Sequence, residues 1–425
     1  MKREQTSYAY EGPELRSHGG SRTLNNAFDV MSPIQIHEPR ATVARRFALF
    51  DLGFRPFYLL ASVFAAISIP LWALQFSGLL PHPYLAGPVW HAHEMVFGFT
   101  LAVIVGFLFT AGKNWSNMPT PTGLPLACLC ALWVASRVLV LTPYAWAAAV
   151  CNVAFPAAAA VALAIPFWKS GARRNYFFVG LLILVAGAAA AVHWSQLRGA
   201  ASFSARGIQL ALDVVLFILA VMGGRVIPMF TNNGVPGADA TKRPGTERTA
   251  LGLVLAVLVA DQVGLGGLPA AVLLAIASLA HSVRWLLWRP WTSRKTPLVW
   301  VLHLAYLWVP IHLLLRAAAA IGLVTPSLSA HALTVGAIGG LIIGMMTRTS
   351  RGHTARPLVA DRFDTACYVL VALAALVRVA LPLMAPTQLM NAVVLSAVLW
   401  SAGFGLFAIR YWPILCRPRL DGRPG

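Results

Sequence analysis

The feature that most constrains this chain is a succession of apolar runs, each long enough to cross a lipid bilayer and each ended by proline, glycine or charge. A hydrocarbon layer of about 30 Å needs about 20 apolar residues in a helix rising 1.5 Å per residue. Runs of that kind lie at about 57–77, 88–111, 124–142, 144–168, 175–196 and 207–231, then at about 250–266, 268–288, 297–323, 328–347, 364–384 and 388–412. Backbone amides in lipid must bond within their own segment, which a helix achieves. The expected fold is therefore all-α, a polytopic transmembrane helix bundle of about 12 spans. With 58% hydrophobic and 11% charged residues, the chain is too apolar for a soluble protein and too long for a single anchor.

Charge placement orients the spans. A formal net charge of +19 would suggest nucleic acid as partner of a soluble protein, but here the positions of Lys and Arg decide its meaning. With the N-terminal tail placed in the cytoplasm, 26 of the 33 basic residues fall in the tails and loops of that side. Only Arg198 and Arg206 fall in loops of the other side, and Arg137, Arg225, Arg284, Arg316 and Arg378 lie inside spans. Both termini are expected in the cytoplasm, with no nucleic-acid partner. Residues 1–48 read as a disordered basic tail, 49–415 as the membrane domain and 416–425 as a second cytoplasmic tail. The five cysteines form no CxxC or CxxCH, which argues against structural zinc, covalent haem attachment and a disulfide framework.

Ionisable groups inside lipid are read as functional or tightly paired. The run Trp90-His91-Ala92-His93-Glu94-Met95-Val96-Phe97-Gly98 opens the second span with two imidazoles and a carboxylate. At 100° per residue His91 shares a face with Glu94, Met95 and Gly98, and His93 points the other way. Gly98, Ala102 and Val105 would continue the His91 face inward and admit a helix or a flat cofactor. Depth along the spans places His193, His331, Asp213, Asp261, Arg137, Arg316 and Arg378 at the same outer level, so the expectation is one outer chamber built from distant segments. A second, inner cluster joins the run Gly223 to Asn233, with Arg225, Asn232 and Asn233, to Met345-Met346-Thr347-Arg348, His281, His303 and His353, with Pro228 breaking span six and Pro310 disturbing span nine around His312. Gly336, Gly340 and Gly344 form a ridge for close helix packing. His82 reads as a plain loop residue, and Trp115, Trp168, Trp288 and Trp412 as interface anchors.

Imidazole is the natural ligand of haem iron and of copper, and b-type haem in membrane bundles is held by histidines on separate helices. The candidates for cofactor binding are His91, His93, His193, His303, His312 and His331, and those for a metal are His91, His93, His331 and His353. Supporting roles fall to Glu94, Arg137, Asp213, Arg225, Asn232, Asn233 and Arg316. Phosphate-binding GxxxxGK[ST], dinucleotide GxGxxG and serine-elbow GxSxG motifs are absent, which excludes ATPases and common hydrolases.

At Phe54-Arg55-Pro56-Phe57-Tyr58-Leu59-Leu60, Trp90 to Gly98, Asn114-Trp115, Gly223 to Asn233 and His331 to Arg356 the sequence resembles the NnrS family, polytopic bacterial membrane proteins. It departs from that pattern at Gly112-Lys113 and around His353, where Arg351 and Ala355 stand. The resemblance implies an inner-membrane protein carrying haem and copper in the response to nitric oxide and nitrosative damage. It implies membrane lipid as surroundings and nitric oxide as small-molecule ligand, and carries over His91, His93, His193, His303, His312, His331 and His353. It leaves open whether the protein turns over nitric oxide, senses it or handles metal. Two rivals stand beside it. One is a twelve-span secondary transporter of a small solute or metal ion, suggested by intramembrane Arg and Asp and by broken spans six and nine. The other is a haem-copper oxidoreductase subunit, whose paired adjacent histidines and late His-x-His are not found here.

Overall fold

The computed structural model describes residues 46–76, 83–199 and 201–423. The expected disordered tail lies almost wholly outside the described residues, as does His82. Everything described is helix, turn or loop.

The described residues form twelve helical rods. They are α1 (Phe54–Phe76), α2 (Gly87–Ser116), α3 (Gly123–Leu139), α4 (Ala145–Ser170), α5 (Phe177–Arg198) and α6 (Ala201–Gly234). The second half comprises α7 (Pro244–Gln262), α8 (Gly267–Leu287), α9 (Pro297–Ala320), α10 (Pro326–His353), α11 (Arg362–Met384) and α12 (Leu389–Cys416). Ten spans among the described residues are long and apolar enough to cross a membrane, so the chain reads as a multi-pass membrane protein. The other two rods, α3 and α7, fall short of that standard: α3 has only 17 residues, and α7 opens on the polar run Pro244-Gly245-Thr246-Glu247-Arg248.

Short connections make successive rods antiparallel neighbours. The amide of Ala48 donates to Cys416 O at 2.9 Å, and Arg55 donates to the carbonyls of Leu415 and Arg417 at 2.9 and 2.7 Å, so the chain enters and leaves at one end of the bundle, here the near end. The segment after α12 is pinned there as well, with Leu420 N and Arg419 Nη1 donating to the carbonyls of Thr354 and His353.

Burial separates centre from rim. In the most apolar stretch of each span, α2, α6, α10 and α9 bury 61–78% of their residues, against 39–50% for the remaining spans. Glycine makes this centre possible. A Cβ on Gly336, Gly340 or Gly344 of α10 would come within 2.4–2.8 Å of Trp308, Ala305 or Leu302 of α9, so the ridge read from the sequence seats α10 on α9. Gly223 and Gly224 of α6 likewise lie under Tyr306 and Arg284.

Two expectations are corrected here. Rods α6 and α9 run unbroken through Pro228 and Pro310, because tightly packed neighbours hold the helix where a missing N–H would otherwise open it. The interruption that suggested a transporter is therefore not found. Trp288 is no interface anchor: it is fully buried, 4.6 Å from the Tyr306 ring and 5.1 Å beneath the Arg284 guanidinium.

Candidate functional site

The polar groups expected in one outer chamber do meet near the far end of the bundle, but they divide into separate groups around α2. The cause is local. From Glu94 to Thr100 the rod is a π-helix, and the amide of Leu101 reaches back to Val96 O. Each residue of a π turn advances by less than 100°, so the face that starts at His91 drifts along this segment and Gly98 comes to lie against Arg137, while Glu94, its first residue, meets His93 through its side chain. Rod α10 has a matching π segment, Ala332–Gly339, starting directly after His331.

On one side of α2 the polar groups form a closed chain. Arg137 of α3 donates to Glu94 Oε1 at 2.5 Å and also to Asn152 Oδ1 of α4. Glu94 Oε1 lies 2.8 Å from His93 Nδ1, His93 Nε2 lies 3.1 Å from His193 Nε2 of α5, and His193 Nδ1 lies 3.2 Å from the Tyr84 hydroxyl. The Arg137–Glu94 ion pair sets the direction of this chain. An ionised Glu94 only accepts, so with both imidazoles neutral His93 donates from Nδ1, His193 donates from Nε2, and the Tyr84 hydroxyl, 3.2 Å from both His193 Nδ1 and His193 O, shares its proton between them. Both imidazoles then have both nitrogens engaged. Gly98 belongs to this side too: a Cβ there would stand 2.7 Å from Arg137 Nη1 and 2.9 Å from Phe64. The small-residue face expected to admit a flat cofactor is thus filled at Gly98 by guanidinium.

The other side of α2 is open. His91 and His331 face a cavity of about 400 Å³ between α1, α2, α6, α10, α11 and α12. Their ring centres are 6.5 Å apart with planes 15° from parallel, and the Trp72 ring lies 5.0 Å from His91. His331 Nδ1 is 2.7 Å from the carbonyl of Ser327, one turn earlier, which makes Nδ1 the protonated nitrogen and leaves Nε2 with its lone pair. His91 Nδ1 is buried without a hydrogen-bond partner. Phe99 and Trp400 supply flat apolar wall, and Arg378 stands at the edge.

The remaining candidates lie elsewhere. Arg316 of α9 pairs with Asp213 of α6 at 3.4 Å and with Asp261 of α7, and Gln209 donates to Asp213 at 2.8 Å. His312 Nδ1 is 2.7 Å from Ser329 O, with Nε2 buried and unpartnered. His303 Nε2 donates to Thr231 Oγ1 at 2.8 Å, and its Nδ1 is likewise unpartnered. His353 packs 5.6 Å from the Phe54 ring at the near end. Its 22 residues of separation from His331 along one rod correspond to about 33 Å. Arg225 lies over Trp115, Phe177 and Phe178, Asn232 clips the 235–240 loop through Ala240, and Asn233 is exposed, so no inner polar centre joins these to His303 and His353.

Sequence reading missed Trp72, Tyr84 and Asn152. Tyr84 sits in a loop and the others in apolar runs, and no periodic signal distinguishes them from packing or interface residues. It also missed a buried network in which Glu247 binds Arg284 at 2.5 and 2.8 Å, Arg284 donates to Tyr306 Oη at 2.8 Å and Tyr306 donates to His281 at 2.7 Å. His281 is thereby satisfied, its other nitrogen reaching Ala250 O at 3.2 Å.

A search of curated proteins returns no match to the chain. A family profile described as NnrS protein matches residues 48–419, from the entry of α1 past the end of α12. The match takes in both sides of α2 and the facing end of α10, and the chain belongs to the NnrS family.

Proposed function

We propose that this chain is a haem-binding protein of the bacterial inner membrane that acts in the nitric oxide response, with His91 and His331 as the two protein ligands of the iron. The observation that carries the reading is the pair of imidazoles facing each other from α2 and α10 across an apolar cavity. The ring centres stand 6.5 Å apart with planes 15° from parallel, close enough for both imidazoles to belong to one site. Ser327 fixes the tautomer of His331, and Trp72 holds the ring of His91.

The donor count favours haem over a bare ion at this position. Among the described residues no three or more His, Cys, Asp or Glu side chains converge on one point. A porphyrin brings four equatorial nitrogens, so two imidazoles complete its iron. Copper held by protein alone calls for a larger set. The copper that the family resemblance implies thus has no such set among the described residues. Haem bound here would supply a one-electron centre. The chain's own part is to orient the two imidazoles, present aromatic walls and keep water out.

Iron and copper analysis of the purified full chain, with an optical spectrum, tests the reading. About one haem per chain with a Soret band is the expected result. A protein free of Soret absorbance and of stoichiometric iron sinks the proposal.

A further inference from the structure

Beside the histidine cavity lies a larger cleft of about 980 Å³ between α1, α11, α12 and the segment leading into α10. Its mouth carries Leu323, Leu383, Met390, Val394 and Val398, all between 46% and 73% exposed, so in a membrane it opens sideways to lipid. The two spaces adjoin: Trp72, Ser327 and Arg378 line both.

The cleft is apolar except for a few atoms, and those atoms are unsatisfied. Arg378 Nη1, Trp72 Nε1 and Ser401 Oγ are buried without hydrogen-bond partners. Arg and Trp can only donate. The bundle's carboxylates do not answer Arg378, since Glu94, Asp213, Asp261, Glu247 and Asp364 pair with other guanidiniums. Among the described residues its one polar contact is a 3.5 Å approach to Ser327 Oγ. Arg378 lies six residues before the far end of α11, about 9 Å along the rod. A cation held at that depth without an anion leaves its charge uncompensated.

We propose that this cleft binds one membrane amphiphile with an apolar chain and a single anionic head, the head paired with Arg378 and the chain lying along α11 and α12 toward the lipid. The occupant sits at the doorway between bilayer and histidine cavity. The assignment goes beyond the haem reading and does not depend on it, because no residue that carries it is an iron ligand.

Native mass spectrometry of the purified full chain in neutral detergent tests this, with oleate, methyl oleate and phosphatidylglycerol as probes. Oleate or phosphatidylglycerol binds one per chain, and whichever binds more tightly identifies a carboxylate or a phosphate head. Losing the charged contact through Arg378→Gln, or through the methyl ester, weakens binding by about tenfold or more. Arg378→Lys retains most of it, and His91→Ala leaves it unchanged. Methyl oleate binding as well as oleate overturns the proposal. So does unchanged binding in Arg378→Gln, or equal loss in Arg378→Lys or His91→Ala at a native thermal midpoint.

Discussion

Two pairs of histidines stand back to back on α2, and they differ in what their nitrogens touch. His93 and His193 sit in a chain in which every ring nitrogen has a hydrogen-bond partner within 3.2 Å. His91 and His331 stand 6.5 Å apart across a cavity, with His91 Nδ1 unpartnered. Both pairs are imidazoles among apolar helices, and by type and depth they are equivalent. The difference teaches that a buried imidazole is freed for a ligand only where neighbours leave a lone pair unused. On the side of His93 the lone pairs are taken up by the neighbouring His193 ring and the Tyr84 hydroxyl, while Glu94 accepts the remaining N–H. That division puts the proposed cofactor on one side of α2 and a stabilising network on the other, and variants on each side can break it.

The largest effect is expected on the open side. His91→Ala or His331→Ala should remove most of the haem, about tenfold or more, since each supplies one of only two protein bonds to iron. Expression and thermal midpoint of the cofactor-free protein should stay near the parent's. Soret absorbance per chain reads the outcome. Equal haem loss in His93→Ala would mean that the two sides are not separate.

On the closed side, removing one partner of the buried ion pair comes next. Glu94→Ala leaves Arg137, 6% exposed, without its carboxylate, which costs about 3–5 kcal/mol in buried pairs. A double variant that removes both charges should recover part of that loss. Thermal unfolding in detergent measures both, and a Glu94→Ala protein as stable as the parent would show that the pair does not hold α2 to α3.

Gly98→Ala follows. The added methyl must displace Arg137 Nη1 and the Phe64 ring, at 2.7 and 2.9 Å, and overpacking of this kind costs about 1–3 kcal/mol. The same change at Gly252, where a Cβ meets nothing within 4 Å, should be neutral or slightly stabilising. If both behave alike, the crowding at Gly98 is not real.

These variants also show what was legible from residues alone. The helical architecture followed from apolar run lengths, because lipid leaves the backbone only internal partners. That some helix packs closely on α10 followed from Gly336, Gly340 and Gly344, while the identity of that helix, α9, came only from the structure. Presence of the histidines at one end followed from counting along spans. Their division did not. It turns in part on a π-helix at Glu94–Thr100, whose smaller rotation per residue carries Gly98 away from the face of His91, and no residue type in that run announces it. The partners Tyr84 and Asn152 were hidden for a different reason. Each is a single polar residue whose role exists only once α2, α3, α4 and α5 have packed.

Tyr84→Phe gives the smallest effect and the sharpest comparison. Tyr84 is half-buried and ends the closed chain, its hydroxyl 3.2 Å from both His193 Nδ1 and His193 O. Its loss removes one neutral hydrogen bond, about 0.5–1.5 kcal/mol, and solvent near a half-exposed site can restore part of it. His93, Glu94 and Arg137 keep their partners, so the rest of the chain should hold. The optical spectrum should not change at all, because the proposed cofactor site lies on the far side of α2. A shifted Soret band with an unchanged thermal midpoint would reverse the assignment, making the closed pair the one that senses the cofactor and the open cavity a packing defect.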